Sequence, residues 1–151
     1  MHPTPRLRKG FDHIGVSACF VAHDGKGNIL LMQRSKNARD EHGRWDNIGG
    51  GIEFGETIEE ALLRECHEEL CTEPLDMQFL TVYDAHRTIN GERSHWVAVI
   101  YAVQVDPTKV KIGEPHKFDD IGWFTSKNLP SPLHSQFYKA YNVALAQGIV
   151  K

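Results

Sequence analysis

The sequence has few cysteines, no long apolar run and no cluster of basic residues, and each absence excludes a class of protein. Its three cysteines, Cys19, Cys66 and Cys71, cannot all pair with one another, and no C-x-x-C is present, so neither a disulfide framework nor a zinc or dithiol motif is indicated. The longest nearly uncharged apolar run, Trp96 to Val105, has about half of the roughly 20 residues that a membrane-spanning helix needs, and the N-terminus lacks an apolar signal-peptide core. We therefore expect reduced thiols, a cytoplasmic location and no membrane span.

The lack of a basic stripe also excludes a long nucleic acid or a messenger RNA cap from the expected substrates, because tracking a phosphate backbone needs clustered Lys and Arg. The composition is otherwise ordinary: 151 residues, 40% hydrophobic and 25% charged, with no repeat or linker, which predicts a single domain over residues 1–151. The net charge of −3 conceals an asymmetry, since residues 53–76 contain nine acidic residues and one base, Arg64. Such a local excess is either a solvated helix face or a cation site.

Turn signals divide the chain into short elements, most of them strands. Asn90-Gly91 readily supplies the two positive φ angles of a tight hairpin turn, and Gly148 is placed to end a C-terminal helix. Residues 35–51 are predicted to form a polar loop that ends in three consecutive glycines. The predicted elements are a hairpin of Gly15–His23 and Asn28–Arg34, a hairpin of Met77–Thr88 and Arg93–Val105, a strand at Ile121–Thr125 and helices at Ile58–Leu70 and Ser131–Gln147.

The acidic segment is predicted to be a helix that begins at a capping box, Thr57 with Glu60 three residues later, and stops before Pro74. Five apolar residues form a stripe on this helix that is expected to pack on a sheet. They are Ile58, Leu62, Leu63, Cys66 and Leu70.

Three carboxylates of this helix, Glu65, Glu68 and Glu69, project from one face, because residues three and four apart are neighbours on a helix. Arg64 can pair with Glu68 but cannot neutralise all three, and Mg²⁺ or Mn²⁺ fits the deficit because hard cations take oxygen ligands. A solvated acidic face is the alternative. The glycines Gly49-Gly50-Gly51 favour the metal, since a glycine-rich loop before a helix brings backbone N–H groups to a phosphate.

Together these residues, Gly50-x5-Glu56-x7-Arg64-Glu65-Cys66-x-Glu68-Glu69, resemble the Nudix box of the Nudix hydrolases. Segments on both sides also resemble that domain, including Arg34, residues 45–51, Glu114-Pro115-His116-Lys117 and Trp123-Phe124. The box runs from Gly50 to Thr72 and departs from the family pattern at its end, where Cys71 and Thr72 replace a glycine and an apolar residue. Ile48 stands where many members have proline.

The resemblance implies an α+β fold, an α/β/α sandwich around a mixed β-sheet, and metal-dependent hydrolysis of a nucleoside diphosphate linked to another group. It makes Glu65 and Glu69 metal ligands, Glu68 a further ligand or base, and the Gly50 carbonyl a backbone ligand. Glu56 and Arg64 would orient the carboxylates, so the expected catalytic set is Glu56, Arg64, Glu65, Glu68 and Glu69. The cofactor is expected to be Mg²⁺ or Mn²⁺.

The substrate lies outside the box, and three hypotheses stay open. The first is a nucleoside triphosphate, normal or oxidised, cleaved to the monophosphate and pyrophosphate. The second is a nucleotide sugar or another nucleoside-diphosphate derivative, and the third is a nucleotide-binding domain without turnover. The expected substrate-binding residues are Arg34, Gly49, Gly51, Arg87, Lys117 and Asp119.

Nine further basic or aromatic residues are weaker candidates for substrate binding or catalysis. His86, Arg93 and His95 are more simply interpreted as exposed hairpin residues, and Trp45, Phe124, Phe137 and Tyr138 as core aromatics. His116 and His134 are weak candidates for an acid or a base. The run Trp96 to Val105 is compatible with a core strand or with a sheet edge in a homodimer, and a homodimer is the hypothesis we favour.

Overall fold

A computed structural model describes residues 2–151 as a mixed β-sheet with a helix on each face. The elements in chain order are β1 Gly15–His23, β2 Ile29–Arg34, β3 Trp45–Asp46, β4 Ile48–Gly51, α1 Ile58–Leu70, β5 Asp76–Ile89, β6 Glu92–Gln104, β7 Phe118–Phe124 and α2 Phe137–Ala146. The strand order is β3-β2-β1-β6-β5, with β4 also pairing with β1 and β7 with β2.

The first strand organises the sheet because it pairs with three others. It is antiparallel to β2 only at its last two residues, antiparallel to β4 over residues 17–20, and parallel to β6 over its whole length. The predicted β1–β2 hairpin is therefore confirmed, but its ladder is short. The pairing with β4 matters most for function, because it fixes the glycines of residues 49–51 against β1.

The second predicted hairpin, β5–β6, is confirmed with its turn at Asn90 (φ 50°) and Gly91 (φ 81°). Its strand β6 lies inside the sheet, between β1 and β5. The apolar run Trp96 to Val105 is thus a core strand, and the interpretation of this run as a sheet edge is wrong. The physical reason is that its two edges are both hydrogen-bonded to neighbouring strands of the same chain.

Alternate residues of the strands feed two separate apolar cores, as the alternating geometry of a strand requires. Phe20 and Leu30 join the core beneath α1, whereas Val21 and Leu31 join the core beneath α2. This arrangement confirms the predicted α/β/α sandwich. Among residues 2–151 there is no helix long and apolar enough to cross a membrane.

Three local predictions need correction. The last strand starts at Phe118 rather than Ile121, because β7 pairs with β2 as far as Arg34. The last helix starts at Phe137 rather than Ser131, because the preceding residues bond in extended form to β3: the Trp45 N–H donates to the Pro132 carbonyl, and the His134 N–H to that of Trp45.

The apolar stripe of α1 is the third correction. Ile58 and Leu63 are exposed, and the face toward the sheet carries two carboxylates among its apolar residues. The buried set is Ala61, Leu62, Glu65, Cys66, Glu69 and Leu70. The helix is thus rotated so that charged groups, and not only apolar ones, meet the glycine strand.

Candidate active site

Helix α1 holds the acidic residues in a fixed orientation, because both its ends are capped. At the start, the Thr57 hydroxyl accepts a hydrogen bond of 3.1 Å from the Glu60 N–H, as the capping box predicts. At the end, Cys71 adopts a left-handed conformation (φ 57°), and its N–H donates to the His67 carbonyl. Cys71 thus takes the conformation for which glycine is usually needed at this position.

Two of the carboxylates, Glu65 and Glu69, are almost fully buried against strand β4, being 6% and 4% exposed. The Gly49 N–H donates to Glu69 Oε2 at 3.1 Å. A Cβ atom on Gly50 would lie 2.5 Å from Glu65 Oε1, so only glycine lets the strand approach this carboxylate so closely. The glycines therefore make room for the acidic face as well as shaping the loop.

Arg64 is the hub of the hydrogen bonds around these carboxylates. Its guanidinium makes a bidentate pair with Glu56, with N···O distances of 2.6 and 2.9 Å. It also donates to Glu65 Oε1 at 2.8 Å, to Glu68 Oε2 at 3.3 Å and to the Gly51 carbonyl at 3.1 Å. These bonds join the glycine strand, the loop before α1 and the helix itself.

The electrostatics of the site leave it short of positive charge. Hydrogen bonds from Arg64 lower the pKa of Glu56 to about 2. Burial raises the pKa of Glu65, and burial together with the nearby charge of Glu65 raises that of Glu69 well above its usual range. The carboxylate oxygens of Glu65, Glu68 and Glu69 are ligands of the kind that a hard divalent cation takes.

The loop before β7 brings one more carboxylate to this site. The Gly113 N–H donates to the Glu69 carbonyl at 2.9 Å, and a Cβ there would meet the Glu68 carbonyl at 2.0 Å, so the loop lies directly on α1. Glu114 follows, and its Oε2 lies 3.0 Å from Lys117 Nζ. Sequence reasoning did not assign Glu114 a role, because no fixed spacing links it to the box; its place in the E-P-x-K segment was the available signal.

A cleft of about 860 Å³ opens above the carboxylates. Its floor is the sheet face of β1, β4, β5 and β6, and it is lined by five of the six expected substrate-binding residues: Arg34, Gly49, Gly51, Arg87 and Lys117. The sixth, Asp119, is exposed on β7 and does not line the cleft.

Arg34 and Arg87 are less free than the sequence suggested. Arg34 is bound to Asp40, at 3.2 Å, and Arg87 bridges Asp40 and Glu41, at 3.3 and 2.7 Å. Their guanidinium groups therefore hold the loop after β2 in place beside the cleft. Lys117, with its side chain 47% exposed, is the more available cation.

The aromatic and imidazole candidates are distributed differently from the sequence expectation. Trp45 and Phe137 belong to the core under α2, and Phe124 packs against it. Phe118 of β7 lines the cleft, and so do two aromatic side chains of the β5–β6 hairpin, Tyr83 and Trp96, which strand alternation turns toward it. Sequence reasoning missed both, although the alternation of these strands was visible.

His134 lines the cleft and pairs with Glu41 at 2.8 Å, whereas His116 is exposed. His86 and His95 lie on the opposite face of the hairpin from the cleft-lining residues.

Comparison with known proteins places the chain among enzymes of one family. A family model described as the NUDIX domain matches residues 13–143. The chain is similar to an ADP-ribose pyrophosphatase of Methanocaldococcus jannaschii, with 32% identity over 80% of this chain and 72% of that protein. It is also similar to the mouse 8-oxo-dGDP phosphatase NUDT18, with 27% identity over 86% of this chain but 37% of that protein. A dihydroneopterin triphosphate diphosphatase of Escherichia coli is 33% identical over 52% of this chain and 49% of its own length.

Solved structures give the same result. A MutT NUDIX hydrolase of Burkholderia pseudomallei superposes with a TM-score of 0.74 at 31% identity, covering 87% of this chain and 98% of that one. The NUDIX domain of Shewanella oneidensis NrtR, solved with ADP ribose, has the same fold, with a TM-score of 0.73 at 20% identity over 91% and 90% of the two chains.

Proposed function

Because this chain belongs to the Nudix family of hydrolases, which act on phosphoric anhydrides, we propose that it cleaves a nucleoside triphosphate, normal or oxidised, to the monophosphate and pyrophosphate. The observation that carries this proposal is the pair of buried carboxylates, Glu65 and Glu69, held against a glycine strand at the base of a cleft with basic residues in its walls. An acidic face kept only for solubility would instead be exposed to water.

The residues present fit Mg²⁺ or Mn²⁺. Glu65, Glu68 and Glu69 and the Gly50 carbonyl would hold the metal, and Glu114 adds a carboxylate at the edge of the same site. When bound, the metal supplies positive charge to the phosphate oxygens and activates a water molecule for attack at phosphorus.

The protein's own residues then have separate tasks. Arg64 and Glu56 keep the carboxylates oriented, because their bidentate pair fixes the guanidinium that also binds Glu65 and Glu68. Glu68, with half of its side chain exposed, is the box carboxylate that water reaches most easily, and we assign it the acceptance of the proton from the attacking water. Lys117 faces the cleft beside Glu114 and would bind the phosphate that leaves.

Charge favours the triphosphate. The cleft wall carries basic residues beyond the box that have no buried carboxylate of their own, among them Arg6 and Lys9 of the N-terminal segment. A triphosphate offers more negative charge to such a wall than a diphosphate ester does.

A nucleoside diphosphate linked to another group is the second candidate, and a specific observation favours it. The relative with the broadest two-sided match among the curated proteins described above is an ADP-ribose pyrophosphatase. A cleft of about 860 Å³ is within the range that holds a whole ligand of that size. A binding domain without turnover is disfavoured, because every ionisable position of the box is present.

A mixed substrate panel separates the two candidates. The purified protein is incubated with Mg²⁺ and a set of nucleoside triphosphates, 8-oxo-dGTP, nucleotide sugars and ADP-ribose, and the products are identified by mass spectrometry. We expect monophosphate and pyrophosphate from a triphosphate, with one ¹⁸O atom incorporated from labelled water. Turnover of ADP-ribose or sugar nucleotides with inert triphosphates would overturn the first choice, and chelation of the metal should stop either reaction.

A further inference from the structure

The β5–β6 hairpin has a second face that the proposed reaction does not use. Side chains alternate along a strand, so Tyr83, Ala85 and Arg87 face the cleft while Asp84 and His86 point to the other side. On β6 the same alternation separates the cleft-lining Trp96 from the neighbouring imidazole, His95. One carboxylate and two imidazoles therefore share the outer face of the hairpin.

These three side chains lie close together. His86 and His95 are directly opposite in the strand register, and their ring centroids are 4.1 Å apart with the planes tilted by 33°. His95 Nε2 lies 2.8 Å from Asp84 Oδ1. One ligand atom from each residue can be chosen so that all three lie within 4.8 Å of one another.

We propose that Asp84, His86 and His95 form a binding site for a transition-metal ion, with Zn²⁺ the ion that the ligands fit best. Two imidazole nitrogens and one carboxylate oxygen are a usual zinc ligand set, with water in the fourth position. Zinc–ligand bonds of about 2.0–2.1 Å place the ligand atoms of a tetrahedral site about 3.3 Å apart. Small side-chain rotations are enough to bring the three ligand atoms, which lie within 4.8 Å of one another, to that spacing. The nitrogen donors distinguish this site from the all-oxygen site on α1, which suits Mg²⁺.

The surroundings leave the negative charge of Asp84 available. In the described part of the chain, His95 is the partner with which Asp84 forms an ion pair, and no Lys or Arg does so. Lys139 lies nearby, but its ammonium is bound to the Asp84 backbone carbonyl at 3.0 Å and lies 5.1 Å from the Tyr83 ring.

A similar trio of side chains beside the cleft differs in how its charge is balanced. Asp40, Glu41 and His134 also have ligand atoms within 4.8 Å of one another. Their charge, however, is taken by Arg34, Arg39 and Arg87, which bind the two carboxylates directly. A cation would have to displace these arginines, so we assign no metal to that trio.

The site is tested by titrating Zn²⁺ into tag-free protein in excess Mg²⁺, with long-range ¹H–¹⁵N spectra of the histidine rings as the readout. This readout is specific for imidazole nitrogen, so zinc bound to the carboxylates of α1 or to Cys71 does not mimic it. We expect the ring signals of His86 and His95 to shift together at one equivalent, ahead of the other seven histidines. Failure of these two signals to shift first would overturn the proposal.

Variants of the three proposed ligands test how much each contributes to the zinc affinity. His86→Gln and His95→Gln should each weaken the zinc-dependent change by about 100-fold or more, because loss even of an outer-shell partner costs about 10- to 100-fold. Asp84→Asn should weaken the zinc affinity less, since the amide oxygen can still coordinate the metal ion. His13→Gln, which removes another exposed imidazole, is the matched control and should leave the affinity unchanged. Equal affinities in wild type, His86→Gln and His95→Gln would contradict the site, and backbone amide spectra check that each variant is folded.

Discussion

Two clusters of carboxylates lie beside the same cleft, and they differ in how their charge is balanced. The box cluster is Glu65, Glu68 and Glu69, and Arg64 pairs with the first two of these. The loop cluster, Asp40 and Glu41, is bound by three arginines and by His134: Arg34, Arg39 and Arg87 pair with Asp40, and Arg87 and His134 with Glu41. Both clusters contain buried carboxylates, so burial alone does not separate them.

The pKa values of the carboxylates are lowered in the loop cluster and raised for the buried carboxylates of the box cluster. In the loop cluster, burial works against ionisation, but Arg87 and Arg34 outweigh it and lower the pKa of Asp40, and hydrogen bonds from His134 and Ser135 lower that of Glu41. In the box cluster burial prevails, and the pKa values of Glu65 and Glu69 rise. In the described part of the chain, Glu65 shares its arginine with Glu56 and Glu68, and no Lys or Arg pairs with Glu69, so the charge of the box cluster is less well balanced than that of the loop cluster.

The largest expected effect is on the box cluster. Glu69→Gln should lower turnover by at least about 100-fold, because it removes the charge of a proposed metal ligand. The same substitution should leave the metal-free protein at least as stable as wild type at pH 7.5. The sign follows from the raised pKa: an ionised Glu69 costs stability above its unfolded pKa, and a neutral amide that still accepts from Gly49 removes that cost.

The measurements for Glu69→Gln are steady-state turnover and thermal unfolding with and without Mg²⁺. Wild type should gain about 2.7 kcal/mol at a Mg²⁺ concentration of 100 times the Kd, and the variant much less. Glu59→Gln, an exposed carboxylate in the first turn of the same helix, is the control and should behave as wild type in both. Full turnover by Glu69→Gln would rule out the proposed role of this residue.

Substitution of a carboxylate in the loop cluster should lower the stability of the protein. Glu41→Gln should lower the free energy of unfolding by about 1.5–3 kcal/mol at pH 7, because it removes charged hydrogen bonds to Arg87, at 2.7 Å, and to His134, at 2.8 Å. Since the folded pKa of Glu41 lies below its ordinary value of 4.5, this contribution is complete above pH 4.5 and is lost as the pH falls further.

Denaturant unfolding at a series of pH values measures this effect, with Glu92→Gln as the control. Glu92 forms an exposed pair with Arg8 at 2.7 Å, so its substitution should cost much less stability than that of Glu41. A gap between wild type and Glu41→Gln that widens toward acid pH would show that the assigned sign is wrong.

The smallest effect concerns the end of the helix that carries the box cluster. Cys71→Gly should raise the free energy of unfolding by about 0.5 kcal/mol, because glycine adopts the left-handed conformation without the strain that other residues pay. Turnover should not change, since Cys71 contacts none of the box carboxylates through hydrogen bonds. Cys71→Ala keeps the strain and removes the thiol, so a gain in both variants would point to the thiol rather than to the backbone.

Local patterns predicted some elements well and others poorly. The bounds of α1 were predictable because Thr57 caps it and Pro74 follows it, and the β5–β6 turn because Asn90-Gly91 favours positive φ. The start of α2 was not predictable from its own spacing, since residues 132–134 bond to β3, a partner distant in the chain. Periodicity likewise could not tell that Ile58 would be exposed while Glu65 is buried, because the rotation of α1 is set by its contact with β4.

The sequence by itself determined the family, the acidic face of α1 and the glycines that accompany it, because these depend on fixed spacings within one stretch of chain. Only the tertiary structure decided which cations pair with each carboxylate. It placed Glu114 beside the box through the Gly113 contact, and it turned Arg34 and Arg87 toward Asp40. The physical reason is that the charge of a site depends on every element packed around it, and those elements meet only when the sheet has formed.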